Sequence, residues 1–148
     1  ISELKLGNIS ELKLDNNFKI TYDIPNELTK TRVVKFMLQP IVENAIYHGV
    51  KHRKGGLIRI WAYDKDQCLY VCVSDNGINT DKETVDSLNS TLNLSSEDLF
   101  KVSKNSQHIG LINVDLRIKL QYGDMYGVLV EMNNDIGMIV IEKLPIMQ

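Results

Sequence analysis

A chain of 148 residues, 43% of them hydrophobic and 24% charged, is long enough for one domain with a sizeable core and has an ordinary globular composition. Seventeen basic against nineteen acidic side chains leave a formal charge of −2, so nothing global points to nucleic acid or an anionic membrane surface. No apolar run approaches the ~18 residues of a membrane span, no signal peptide is visible, and three histidines with no close Cys/His cluster argue against a structural zinc site.

The chain opens on a repeat, "ISELKLGN" then "ISELKLDN", differing only at Gly7 and Asp15. One period of eight is too short for a solenoid. A local duplication and a boundary effect both stand open, and 1–15 is read as a linker before a domain over 16–148. Alternation of Phe18, Ile20, Tyr22 and Ile24 predicts a strand, stopped by "PNE".

"LQPIVENAIYHGV" follows, with Leu38, Ile41, Val42 and Ala45 at spacings of three and four. It predicts a helix over 34–48, with Gly49 as C-cap and Pro40 tolerated if it lies in the first turn. Met37, Ile41, Asn44 and His48 also share a stripe, which puts Asn44 at the edge of the apolar side. An unpaired buried amide costs roughly 1–3 kcal/mol, so Asn44 needs a partner. The basic run "KHRK" at 51–54 reads as a solvated loop.

"LIRIWAY" (57–63) and "LYVCVSD" (69–75) read as a hairpin around "DKDQ", with Leu69, Val71, Val73 and Asp75 on one face. Cys68 and Cys72 share the other face but lie roughly 13 Å apart at 3.3 Å per residue, too far for a disulfide. Thr80 as N-cap with Glu83 predicts a capping box. The polar stretch 90–108 is read as a mobile loop. Gly110 starts an amphipathic helix carrying Leu111, Val114, Ile118 and Tyr122, ended by Gly123, and "GVLVEM" and "GMIVIEKLP" close the chain as a hairpin around "NNDI". Segregated hairpins and helices imply an α+β fold, a mixed or antiparallel sheet with helices on one face.

Three stretches carry candidate chemistry. The first is the helix with Asn44. The second is "SDNGIN", a strand that delivers Asp75 into a turn at Gly77, where a carboxylate on the apolar side needs donors. The third is "HIGLINVDLR", a glycine at a helix start, whose free N–H groups favour an anion. An amide for a metal, a carboxylate for a purine amine and N–H groups for phosphates would use all three.

In this order the motifs resemble those of the ATP-binding catalytic domain of sensor histidine kinases, of the Bergerat-fold (GHKL, HATPase_c) superfamily, most like its LytS/YesM-type branch. "LQPIVENAIYHG" resembles the N box, "DNGIN" the first glycine box, "HIGLINVDLRIKLQYG" the second, and "NDIGMIVIEKLP" the last hairpin; the likeness covers 14–145. The resemblance implies a two-layer α/β sandwich with an ATP lid over 80–109. It implies ATP and Mg²⁺ as ligands, Asn44 as the metal ligand, and Asp75 as acceptor from the adenine amine. Gly77, Ile78, Asn79, His48, His108, Ile109, Gly110 and Leu111 would complete the nucleotide site. Glu43, beside Asn44, either assists the metal or is solvated.

Pro40 stands where ATP-hydrolysing members carry a glutamate base, so the resemblance implies phosphoryl transfer to a histidine. That acceptor would lie on a preceding dimerisation (histidine-phosphotransfer) domain, with a response regulator as indirect partner. It further implies a cytoplasmic domain of a membrane-anchored bacterial sensor, making no contact of its own with membrane or nucleic acid. Three positions depart from the pattern: Tyr47 replaces a phosphate-contacting lysine, and Asn79 and His108 replace glycines. Lys51, Arg53, Lys101 and Lys104 are candidates to supply the missing cation. The alternative is a degenerate nucleotide-binding or interaction module without kinase activity.

Overall fold

A computed structural model describes residues 2–3, 18–29, 32–33, 37–51, 54–78, 80–102, 104–134 and 136–146. Most of the opening repeat, positions 34–36 of the expected helix, Arg53 and Asn79 lie outside the described residues. The strands are β1 (Ser2–Glu3), β2 (Phe18–Asp23), β3 (Arg32–Val33), β4 (Gly56–Lys65), β5 (Cys68–Asp75), β6 (Gly127–Met132) and β7 (Met138–Pro145). The helices are α1 (Asn26–Thr29), α2 (Leu38–Asn44) with a π-helical continuation Ala45–Val50, α3 (Lys82–Leu92), α4 (Ser96–Leu99) and α5 (Ile109–Tyr122).

Five strands form one mixed sheet in the order β2-β4-β5-β7-β6, with only β2 and β4 parallel; β1 and β3 make a separate small ribbon. This is the α+β architecture that the element order predicts. Central β5 turns Leu69, Val71, Val73 and Asp75 to one face, all buried. Helices α2 and α5 cover that face with Ile41, Val42, Leu111, Val114 and Ile118. The β4–β5 connection is only Asp66 and Gln67, both at positive φ (52° and 65°), the backbone that a two-residue hairpin with native twist requires. Cys68 and Cys72 are free, and burial pushes the Cys72 thiol up to about 12, with Glu131 and Glu142 adding to it.

Two expectations are corrected over the lid. The N-cap of α3 is Asp81, whose carboxylate accepts from the Thr84 N–H at 2.8 Å; Thr80 precedes it. A carboxylate also complements the positive end of the helix better than a hydroxyl does. Nor is 90–108 a continuous loop: α3 runs to Leu92, and Ser95 caps the short α4 by accepting from the Asp98 N–H. Leu92 and Leu99 are buried, so apolar anchors order a stretch whose overall polarity suggested a loop.

Polar side chains inside the core tie the layers together, and the sequence pattern did not reveal them. Lys119 on α5 donates to both oxygens of Asp115 at 2.7 Å and to the carbonyl of Leu92 at the end of α3. Asp115 also accepts from the Val128 N–H of β6 at 2.7 Å. Gly127, at φ +150°, leaves room for that carboxylate where a Cβ would collide with it. Asn89 pairs its amide with both backbone groups of Val130, at 2.7 and 2.9 Å, and so blunts the open edge of the sheet.

Glu142 on β7 is different. It lies between Val71 and Val128 on the helix-covered face, and its Oε2 has no partner. Burial pushes this carboxyl well above its ordinary range, because a carboxylate there has neither water nor a partner for Oε2. Its stability contribution is whole below the ordinary glutamate range and is lost as pH rises toward the raised folded value. Glu142→Gln, which cannot ionise, is expected to be nearly neutral at pH 4. At pH 8 it should stabilise by about 1–3 kcal/mol, the scale of an uncompensated buried polar group. Denaturant midpoints at the two pH values check this, and equal effects at both would refute it.

Candidate functional site

Asp75 ends β5 and is 3% exposed. Its Oδ1 accepts from the Gly77 N–H at 2.8 Å, and the Met138 N–H is a second backbone donor to the carboxylate. Burial pushes the carboxyl up from its ordinary value, and the two N–H bonds partly offset that. Its carbonyl accepts from Asn133 Nδ2 at 2.8 Å, which fastens the β6–β7 turn to the strand end.

Glycines enclose this residue. A Cβ on Gly49 would lie 2.5 Å from Asp75 Cγ, and one on Gly137 would overlap the Asp75 carbonyl. A Cβ on Gly77 would overlap the backbone of Gly49. The close approach that needs a glycine at 77 is therefore already present within the chain. Neighbouring Asn76 is structural: its Oδ1 accepts from the Leu57 N–H at 2.7 Å.

Gly49 is thus not the C-cap that the sequence suggested. After Asn44 the helix widens into the π-helical Ala45–Val50, and the Lys51 N–H bonds to the Ile46 carbonyl at 2.9 Å. Gly49 lies inside this segment because only a side chain of zero volume passes Asp75. Pro40, the third residue of α2, sits in the first turn, where its missing N–H costs nothing.

Asn44 is 8% exposed, and its Oδ1 is 3.1 Å from Nδ1 of His108 at the N-cap of α5. An amide oxygen only accepts, so His108 donates through Nδ1–H. The His48 ring lies against His108, centroids 4.5 Å apart and tilted by 42°. Burial first, and the charge of His48 second, lower the His108 pKa. Lys51 Nζ stands 4.4 Å over the Tyr47 ring, which places a cation beside the position where a lysine is expected.

One cavity of about 220 Å³ brings together Asn44, His48, Asp75 and His108 with Tyr47, Thr80, Thr84, Gln107 and Met138. A second, of about 380 Å³, continues along α3 and shares Thr84, Gln107 and His108 with it. Other expected site residues stand elsewhere. Glu43 is exposed and accepts from Gln39 Nε2 at 3.1 Å, Ile78 is exposed, and Leu111 is in the core. Gly110 has open space where a Cβ would go. Ile109, Gly110 and Gly77 do not line the first cavity. Thr84, Gln107 and Met138 escaped the sequence reading, and Thr80 was singled out only as a helix cap; their only signal is position, beside Asp81 and in the last hairpin.

No family model matches the chain. It is 27% identical over 138 residues to the sensor histidine kinase YesM of Bacillus subtilis, and 28% over 138 residues to the sensor protein kinase HptS of Staphylococcus aureus. Both likenesses cover 93% of this chain, which spans only 21% and 25% of those relatives. Among solved structures, the nucleotide-free catalytic domain of histidine kinase ThkA superposes with TM-score 0.64 at 16% identity, covering 94% of this chain and 86% of that one. ThkA in complex with the response regulator TrrA gives TM-score 0.65 at 20% identity over 95% of this chain and 38% of that one. The blue-light activated histidine kinase of Erythrobacter litoralis gives 0.58 at 14% identity over 95% and 39%. The fold is that of histidine kinase catalytic domains.

The packing around Asp75 makes a prediction about two glycines. Gly49→Ala forces a methyl into a carboxylate pinned by two N–H bonds and should cost about 1–3 kcal/mol, as overpacking does. Gly110→Ala meets open space inside a helix and should be neutral or stabilise by roughly 0.5–1 kcal/mol. Thermal melts of the two variants check the ranking, and the reverse order would refute the packing role of Gly49.

Proposed function

We propose that this chain is the ATP-binding catalytic domain of a two-component sensor histidine kinase, with the domain over 16–148. It would transfer the γ-phosphoryl of ATP to a histidine on a dimerisation domain of its parent protein, with a response regulator receiving the phosphoryl group afterwards. The observation that carries this reading is the convergence of Asn44, from the helix, and Asp75, from the strand end, in one cavity beside the start of α5. Sequence likeness to two sensor kinases over 93% of the chain supports it, and the complex of ThkA with TrrA supports a response-regulator partner.

In this reading Asp75 orients the adenine. Two backbone N–H groups hold the carboxylate, and its remaining lone pairs accept from an exocyclic amine. The ribose and phosphates would run past Thr80, Thr84 and Gln107 toward the N-terminus of α5, where Gly110 and Leu111 would offer N–H groups and Gly110 leaves room for them, while the Ile109 N–H is already bonded to the Ser106 carbonyl. Exposed Ile78 would follow the base at the rim, and the part that the motif gives Asn79 lies outside the described residues.

The donor set near the phosphates fits Mg²⁺. The Asn44 amide oxygen is a hard ligand with a lone pair beyond the one His108 uses, and Mg²⁺ takes few protein ligands besides phosphate oxygens and water. The ion would neutralise charge on the transferring phosphoryl group. Glu43 points away to Gln39, so its assigned part is to hold the helix surface and not to touch the metal. Lys51, braced on Tyr47, is the cation placed to meet phosphate. Pro40, one turn before Asn44, provides no base to activate water, which favours transfer over hydrolysis. We place the domain on the cytoplasmic side of a membrane-anchored parent; among the described residues no helix is long and apolar enough to cross a membrane.

Calorimetric titration of Mg²⁺-ATP into this chain should show one site, weakened roughly 10- to 100-fold in Asp75→Asn, the worth of one charge-assisted hydrogen bond. Binding that is absent at millimolar nucleotide, or unchanged in the variant, would overturn the adenine assignment. With the parent's dimerisation domain supplied, radiolabel from γ-³²P-ATP should reach its histidine, and Asn44→Ala should abolish the transfer. Transfer that survives Asn44→Ala would remove Asn44 from the metal.

A further inference from the structure

We infer that the open face of the sheet pairs with the same face of a second copy of this chain, about a two-fold axis that runs along the strands between β5 and β7. This is the face that the helices leave bare. The buried side chains of α1 to α5 all join the core on the opposite side, so among the described residues no helix covers this one.

A sheet with one side in water ordinarily turns polar residues to that side. Here the strands turn Trp61, Tyr63, Tyr70, Ile139, Ile141 and Leu129 to it. Tyr63 and Leu129 are 41% and 40% exposed, and Cys72 is buried beneath this layer although it lies outside the core cluster. The Tyr63 and Tyr70 rings stack with centroids 5.0 Å apart, and the Arg59 guanidinium stands 5.5 Å over the Trp61 ring. Aromatic residues and arginine are the types enriched at the centre of protein interfaces.

The register identifies the occupant. Arg59 on β4 is level with Glu131 on β6, Trp61 with Leu129, and Tyr63 with Gly127. An axis along the strands between β5 and β7 keeps each level and lays β4 on β6 and β5 on β7. Arg59 then meets Glu131 of the second copy, twice in each dimer because the contact is isologous. Bulky Trp61 opposes Leu129, and Tyr63 opposes Gly127, which has no side chain to obstruct it. Lys143 opposes the Tyr70 ring, whose face attracts a cation. Sheets packed face to face keep their strands within about 30° of each other, so these levels hold near the axis.

Charge selects this axis over the other one available. Among the described residues neither Arg59 nor Glu131 makes an ion pair within the chain. After burial, the Glu131 charge is the next cause that pushes up the Cys72 thiol, so its field reaches the middle of the face. A two-fold axis across the strands at Trp61 would set Arg59 on Tyr63 and Glu131 on Gly127, and both charges would stay unpaired. The paired patch spans four strands and is about 20 Å on a side at ordinary sheet spacings. That is the low end of specific interfaces, so the dimer is weak and depends on concentration. The cavity with Asn44 and Asp75 lies on the helix-covered side, so face pairing and nucleotide binding are independent.

The test is sedimentation equilibrium of the nucleotide-free chain from micromolar to millimolar concentration. Emission of Trp61, the single tryptophan, is read on the same samples. A monomer–dimer equilibrium is expected, with emission moving to shorter wavelength as the dimer forms. Arg59→Glu alone and Glu131→Arg alone should each weaken association roughly tenfold or more, through like charges brought together. Mixed in equal amounts, the two variants should associate about as tightly as the unaltered chain, because the mixed dimer regains both ion pairs. Circular dichroism checks that each variant is folded. A chain that stays monomeric at millimolar concentration overturns the proposal, whether Trp61 emission shows the face bare or covered by another part of the chain. Association that both variants leave unchanged, or that mixing fails to restore, overturns it as well.

Discussion

The arrangement depends on how closely three backbone segments approach Asp75. The end of the π-helical segment, the turn after β5 and the β6–β7 turn meet around this residue, each through a glycine: Gly49 against the Asp75 side chain, Gly77 against Gly49, and Gly137 against the Asp75 carbonyl. A methyl at any of the three would collide with Asp75 or with another of the glycines, so the close contact is available only to backbone without a Cβ. What results is a buried acceptor whose position is over-determined by the Gly77 and Met138 N–H groups and by Asn133 on its carbonyl. A group held from so many sides can be presented to a ligand without moving, which is the condition for a recognising hydrogen bond to count fully.

A second centre fixes the far end of the cavity wall. Lys119 reaches from α5 to the last carbonyl of α3, while Asp115 takes the Val128 N–H of β6. Buried ion pairs are weak evidence for stability in themselves, because desolvation offsets the attraction. Here the pair satisfies two backbone groups at the joints between α3, α5 and the sheet edge. Its role is therefore positional: it sets where α3 ends, and with Asn89 on Val130 it holds the lid helix against β6.

Most of the fold was legible in the sequence, for reasons that can be named. The strands of the sheet announced themselves by alternation, as in Leu69, Val71 and Val73, and α5 by its stripe of Leu111, Val114 and Ile118 closed by Gly123. The ordered motifs placed Asn44, His48, Asp75 and His108, which the structure does bring into one cavity. What escaped was tertiary. Asp115 and Lys119 look like solvent-facing charges until β6 and α3 are laid against them, and Glu142 sits in a strand whose alternation marks its position as buried but gives no partner. Thr80 has the residue type and spacing of a capping box, yet the neighbouring Asp81 carboxylate is the group that accepts from the helix end. Gly49 has the local signature of a helix terminator, whereas the constraint on it comes from Asp75, twenty-six residues away.

The π-helical segment explains why the helix can serve Asp75 and the cavity at once. In an α-helix five residues rotate by roughly 500°, which leaves residue i+5 about 140° from residue i. Continued that way, Gly49 would face away from the side that carries Asn44. Widening to an i→i+5 pattern brings the fifth residue back over the first while the fourth stays near it. His48 then faces His108 in the cavity and Gly49 faces Asp75, on either side of the line that Asn44 marks. The irregular turn is the element that lets one short helix end place an amide, an imidazole and a bare backbone contact side by side.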